Sequence, residues 1–105
     1  MTQSDSNDKN IVHELLKKAV EMGADGLEVE YKDRQEMVFA FKGQMGFGIA
    51  TFESESVEAN QLRDELYKIE GKKTKLTIAG ATYLVKVKTF DSFGEDAFRV
   101  SFRKA

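Results

Sequence analysis

The sequence predicts an α+β domain in which two amphipathic helices cover a six-stranded, largely antiparallel sheet, in the order αβββαβββ. Three observations lead there. Residues 10–52 read as a helix-periodic segment followed by three short alternating runs, and residues 56–103 go through the same order again. The punctuation agrees, because the 105 residues include 8 glycines and no proline, so every break rests on glycine or on a polar turn.

The first nine residues are polar and are expected to form a disordered tail ahead of a single domain over residues 10–105. Asp8 or Asn10 is suited to cap the first helix, since a short side-chain oxygen accepts a bond from a free N–H of the first turn. Ile11, Val12, Leu15, Leu16, Ala19 and Val20 recur at three- and four-residue spacing, Glu14, Lys17, Lys18 and Glu21 face outward, and Gly23 ends the helix. Leu27, Val29 and Tyr31 then alternate with Glu28, Glu30 and Lys32, as in a strand with one wet face. Met37 to Phe41 is apolar on both faces, which predicts a central strand covered on two sides, and Gly43-Gln44 turns the chain into a third strand reaching Phe52.

Ser54 or Ser56 caps the second helix, whose inner stripe is Ala59, Leu62, Leu66 and Ile69 and which Gly71 stops. Leu76 and Ile78, then Tyr83, Val85 and Val87, then Phe98, Val100 and Phe102 are the inward residues of the last three strands, joined by turns at 79–82 and 91–95. An offset of 47 residues places Leu15 on Leu62, and Val38 and Ala40 on Val85 and Val87. Either a duplicated unit or two units built on the same periods produces that match.

Hydrophobic residues make up 41% of the chain, enough for one core without a metal or a disulfide. With no cysteine, thiolate metal sites and thiol nucleophiles are excluded, and a reducing compartment is compatible. No apolar run approaches the ~20 residues of a membrane helix, and the segment MTQSDSNDKN has no signal pattern, so a soluble cytoplasmic protein without membrane insertion is expected. The net charge of −2 argues against a general nucleic-acid binder, yet it is unevenly spread. Residues 1–71 carry 8 Lys and Arg against 15 Asp and Glu, whereas residues 72–105 carry 8 against 3. Such asymmetry suits an acidic partner or two self-complementary halves.

Lys75, Lys86, Lys88, Arg99 and Arg103 occupy outward positions of the last three strands, with Thr77 and Ser101 among them. A meander brings these cations to one sheet face, a surface for an acidic protein or a phosphate. The same residues also favour solubility and discourage edge pairing. Met45-Gly46-Phe47-Gly48-Ile49-Ala50-Thr51-Phe52 resembles the RNP1 octamer of RNA-recognition motifs, which places Phe47 and the nearby Lys42 as nucleic-acid contacts in an alternative, single-stranded RNA-binding reading. Met45 and Ile49 stand where that pattern has a basic residue and an aromatic, and the structural reading makes Phe47 and Phe52 core residues.

Gly71-Lys72-Lys73-Thr74 lacks the earlier glycine and preceding strand of a phosphate loop and reads as a helix stop. His13, the single histidine, lies beside the apolar stripe of the first helix with no neighbour to orient it as a general base. Asp91, Glu95 and Asp96 around Ser92-Phe93-Gly94 match no calcium-loop spacing and read as a hairpin turn. No catalytic residues, metal ligands or cofactor are expected.

Gly23-Ala24-Asp25-Gly26-Leu27-Glu28-Val29-Glu30 resembles the N-terminal domain of type II secretion and type IV pilus ATPases, in which a helix runs into a Gly-Ala-Ser-Asp-Ile-His-Ile-Glu pattern. The likeness continues through Gly43, Lys86-Val87-Lys88-Thr89 and Gly94-Glu95 and spans about residues 11–103. It implies a PAS-like antiparallel sheet with flanking helices, here without the nucleotide-binding domain that follows in that family. Val38 and Ala40 replace the family's arginines, so that only Lys86 is left on the nucleotide side. The resemblance thus implies a stand-alone relative of a domain that packs against other proteins, and the expected partner surface of such a non-catalytic module is the strand face that bears Lys75, Lys86, Lys88, Arg99 and Arg103.

Overall fold

Both helices form where the apolar stripes place them, and their N-termini are closed by side chains. The computed structural model describes residues 10–105, and the expected tail over residues 1–9, with Asp8, lies outside the described residues. Helix α1 (Ile11–Glu21) begins at Asn10, whose side-chain oxygen accepts from the His13 amide at 2.8 Å. The next two free amides are met from a distance: Glu65 accepts from Ile11 N at 3.2 Å and from Val12 N at 2.8 Å. At its other end Gly23 adopts a left-handed φ of 78°, which lets Ala24 N reach Ala19 O at 2.9 Å and Gly23 N reach Val20 O at 3.0 Å. Helix α2 (Val57–Ile69) is capped by Ser56, which accepts from Ala59 N at 3.0 Å. It ends just before the expected stop: Glu70 is already extended, and Gly71 donates to Val87 O at 3.1 Å.

The six strands are β1 (Gly26–Lys32), β2 (Gln35–Lys42), β3 (Met45–Glu53), β4 (Thr74–Ile78), β5 (Ala81–Ser92) and β6 (Glu95–Lys104). They form one fully antiparallel sheet in the order β3-β2-β1-β6-β5-β4. Each unit is a meander of two-residue hairpins, and Asp33-Arg34, Ala79-Gly80 and Phe93-Gly94 all have positive φ, as type I′ turns require. The chain must pass from the β3 edge to the β4 edge, about 24 Å for five strand spacings. Helix α2, about 20 Å long, makes that crossing over the sheet.

Both helices lie on the same face. Val12, Leu15, Leu16, Ala19, Leu62 and Leu66 join one core cluster with Leu27, Val29, Val38, Ala40, Ile78, Val85, Val87, Phe98 and Val100, and Phe98 is the largest of its fully buried side chains among the described residues. His13 Nε2 meets Thr77 O at 2.8 Å and ties α1 to β4. The opposite sheet face has no second layer among the described residues. The expectation that β2 is covered on two sides is therefore corrected: Met37, Phe39 and Phe41 alternate onto the open face and are only half-buried. What shelters them is the edge strand. A Cβ on Gly46 would lie 2.8 Å from the Phe41 ring, and Gly48 pairs with Phe39, so the two rings lie over glycines that offer no side chain.

The two αβββ units are not superposable. A two-fold axis normal to the sheet would give the order β3-β2-β1-β4-β5-β6, and an axis within the sheet would put the helices on opposite faces. The observed order, with every strand reversed and both helices on one side, relates the units as mirror images. The 47-residue offset therefore aligns inward positions of like periodicity, not units of one hand.

One buried hydroxyl, Thr89 Oγ1, has no hydrogen-bond partner on the helix side of β5. Thr89→Val keeps the shape and removes the orphaned group, so urea unfolding should show stability unchanged or raised. By contrast Phe98→Ala empties the centre of the core and should cost about 3–5 kcal/mol in the same measurement.

Candidate functional site: the open sheet face

Strand register settles which side chains share the open face. Across β5 and β6, Lys86 pairs with Ser101, Lys88 with Arg99 and Leu84 with Arg103, while Lys75 of β4 pairs with Leu84. All five expected cations therefore stand together on the face away from the helices, with Thr77 and Ser101. They are not equivalent. Arg99 donates from Nε to Glu28 Oε2 at 2.8 Å, makes a second, close contact from Nη2 to the same oxygen, and lies 5.5 Å from the centre of the Phe90 ring. Its charge is locally answered. Among the described residues Lys75, Lys86, Lys88 and Arg103 have no ion-pair partner.

Next to this basic half runs an acidic row on β1. Glu28 and Glu30 both face outward, and the Glu30 carboxyl is held above the ordinary carboxylate range, first by burial and then by its hydrogen bond to Glu28 and the charge of that neighbour. Beyond the carboxylates stand Met37, Phe39 and Phe41. The open face thus grades from aromatic through acidic to basic across the sheet, and the basic third is the part with unmatched charge.

The RNP1-like segment does not contribute to it. Phe47 pairs with Ala40 and Met45 with Lys42, positions two and four residues on from the buried Val38 and so on the same, helix side. A bulge between Val38 and Phe39 displaces Ile49 from the ladder, where it packs against the core. Phe47, at 39% exposure, sits on the helix side where the helices do not fully cover the edge, and the Lys42 side chain passes close to Gly23. Neither shares a face with the lysines.

A second polar cluster lies at the other end of α2 and has a weaker signature in the sequence. Glu36 occupies an inward register position of β2 and is only 3% exposed. Arg63 Nη1 donates to its Oε2 at 2.6 Å, and Nη2 donates to Ser54 O and Asn60 Oδ1. Burial nevertheless holds the Glu36 carboxyl above the usual range, against the pull of Arg63. Tyr67 packs edge-on to Phe98 and donates to Asp96 Oδ2 at 2.5 Å, a bond that, with burial, pushes its phenol up to about 12. These groups line a cleft with Tyr31, Gly94 and Glu95. Each has an internal partner, which makes the cluster a fastening between α2, β2 and the β5–β6 hairpin. The one sequence signal for it was a carboxylate at an apolar register position. Asp91, Glu95 and Asp96 form the expected hairpin, and among the described residues no group of three or more His, Asp or Glu is placed to hold a metal.

Two outcomes follow. Spectrophotometric titration should show one tyrosine ionising near pH 12; Tyr67→Phe should remove that phase, and Asp96→Asn should bring it toward the ordinary phenol value. Because the folded protein holds the Glu30 proton more tightly than the unfolded chain does, this group's contribution is greatest below its unfolded value of 4.5 and is lost as pH rises through the elevated folded value. Glu30→Gln should flatten that fall in pH-dependent unfolding curves. Searches for relatives give no identity to set beside this geometry: no protein-family model matches the chain, and no curated protein matches it.

Proposed function

We propose that this chain is a small, non-catalytic, cytoplasmic interaction module, of the kind implied by the resemblance to secretion-ATPase N-terminal domains, and that it docks an acidic protein segment on the basic third of its open sheet face. The observation that carries this reading is the set Lys75, Lys86, Lys88 and Arg103, which share one uncovered face and have no ion-pair partner among the described residues. Four cations on a rigid sheet make a field that attracts carboxylates and speeds encounter with an acidic surface. The adjoining Glu28 and Glu30 favour a protein partner over a nucleic acid, because they set negative charge between the basic strands and the Phe39 and Phe41 rings of β2, while Phe90 is already taken by Arg99.

A direct test is NMR titration of the labelled protein with a peptide rich in Asp and Glu. Shifts are expected at Lys75, Lys86, Lys88 and Arg103, with affinity falling as salt rises. The double variant Lys86→Glu/Lys88→Glu should stay folded and lose the shifts. Shifts that persist in that variant, or that map to the helix side, overturn the reading.

A further inference from the structure

The β5–β6 hairpin ends on a side chain that its own fold does not explain. Phe93 is 103% exposed and holds a φ of 53°, the first of two left-handed residues in a type I′ turn. Asn, Asp or Gly serves that position without strain, whereas a bulky aromatic there is unfavourable both in backbone and in solvation. Asp91 and Glu95 flank it, both exposed, and Asp96 follows. The tip is therefore an aromatic ring in a collar of carboxylates.

The complementary shape lies at the other end of the same sheet. On the open face, Leu84 lies in a depression of about 160 Å³ bordered by Lys73, Lys86, Ser101 and Arg103, with the strand segments at Val85 and Phe102, whose side chains turn to the helix side, beneath it. An enclosed cavity of about 150 Å³ takes up benzene, so the volume of this open depression matches one phenyl ring, which would lie on Leu84 inside a rim of cations. Lys73, Lys86 and Arg103 have no ion-pair partner among the described residues.

From this pair of features we infer that the acidic segment docked on the basic face is the β5–β6 hairpin tip of a second copy of this chain, with Phe93 seated against Leu84 and with Asp91 and Glu95 facing Lys73, Lys86 and Arg103. This rests on the reading of the basic face as a docking surface. Phe93 cannot reach the depression of its own chain, because it lies nine positions beyond Leu84 along β5 and its turn, about 30 Å of extended strand. The contact joins two different patches, so it is heterologous and propagates head to tail or closes a ring. One ring and a few ion pairs make a small interface, so assembly is concentration-dependent and weakened by salt.

Sedimentation equilibrium from micromolar to millimolar protein tests it. The average mass of the wild type should rise with concentration at low salt. Phe93→Asn, which places the favoured residue in the turn and so does not endanger the fold, should remain monomeric, as should Lys86→Glu. Mixed in equal amounts, the first variant supplies an intact depression and the second an intact tip, so the mixture should form a heterodimer and go no further. A wild type that stays monomeric throughout, or a Phe93→Asn protein that assembles like the wild type, overturns the inference. If such a monomeric wild type still binds the Asp- and Glu-rich peptide at Lys86, the basic docking face stands and only its occupant is wrong; if it binds neither, both fail.

Discussion

Because β1 and β6 pair antiparallel across Gly26–Val29 and Phe98–Ser101, two three-stranded meanders become one six-stranded sheet. Everything else depends on that seam. Leu27, Val29, Phe98 and Val100 line it on the helix side and are almost entirely buried, each contributing on the order of 1.5–3 kcal/mol of burial. On the other side of the same seam Glu28 meets Arg99. Joined there, the strands are wide enough that α1 and α2 can share one face, and the first turn of α1 comes within reach of Glu65 on α2.

The consequence is a strongly two-sided molecule. The helix side takes nearly all the hydrocarbon, and its one buried carboxylate among the described residues, Glu36, is tolerated because Arg63 reaches it. The open side is left with charge, with half-buried aromatics resting on edge glycines, and with cations that have no ion-pair partner among the described residues. The edges are protected in different ways: β3 by its bulge, β4 by its shortness and its lysine. The proposed docking uses the uncovered face and the tip of the longest hairpin.

Local structure was legible in the sequence wherever period and cap agreed. The α1 stripe, the Asn10 and Ser56 caps, the Gly23 stop, and the inward residues of β1, β5 and β6 all follow from side-chain spacing, which depends on neighbours a few residues away. The shared face of Lys75, Lys86, Lys88, Arg99 and Arg103 was legible for the same reason, since alternation along paired strands carries a face assignment across a meander. The second apolar face of β2 was misleading. Phe39 and Phe41 looked like evidence of a second layer, and the glycines that shelter them belong to a different strand, in a register that no local pattern displays.

The amino-acid order by itself determined the elements, their caps, their turns and the alternation of side chains along each regular strand, because those are set by backbone geometry and by periodicity over a few residues. Tertiary structure alone decided that β1 joins β6, that the two units are mirror-related, that Arg99 is spent on Glu28, and that Phe47 lies away from the lysines. Those outcomes turn on long-range pairing and on a single bulge. A one-residue shift in register moves every later side chain to the other face of the sheet, and nothing along the chain announces where it occurs.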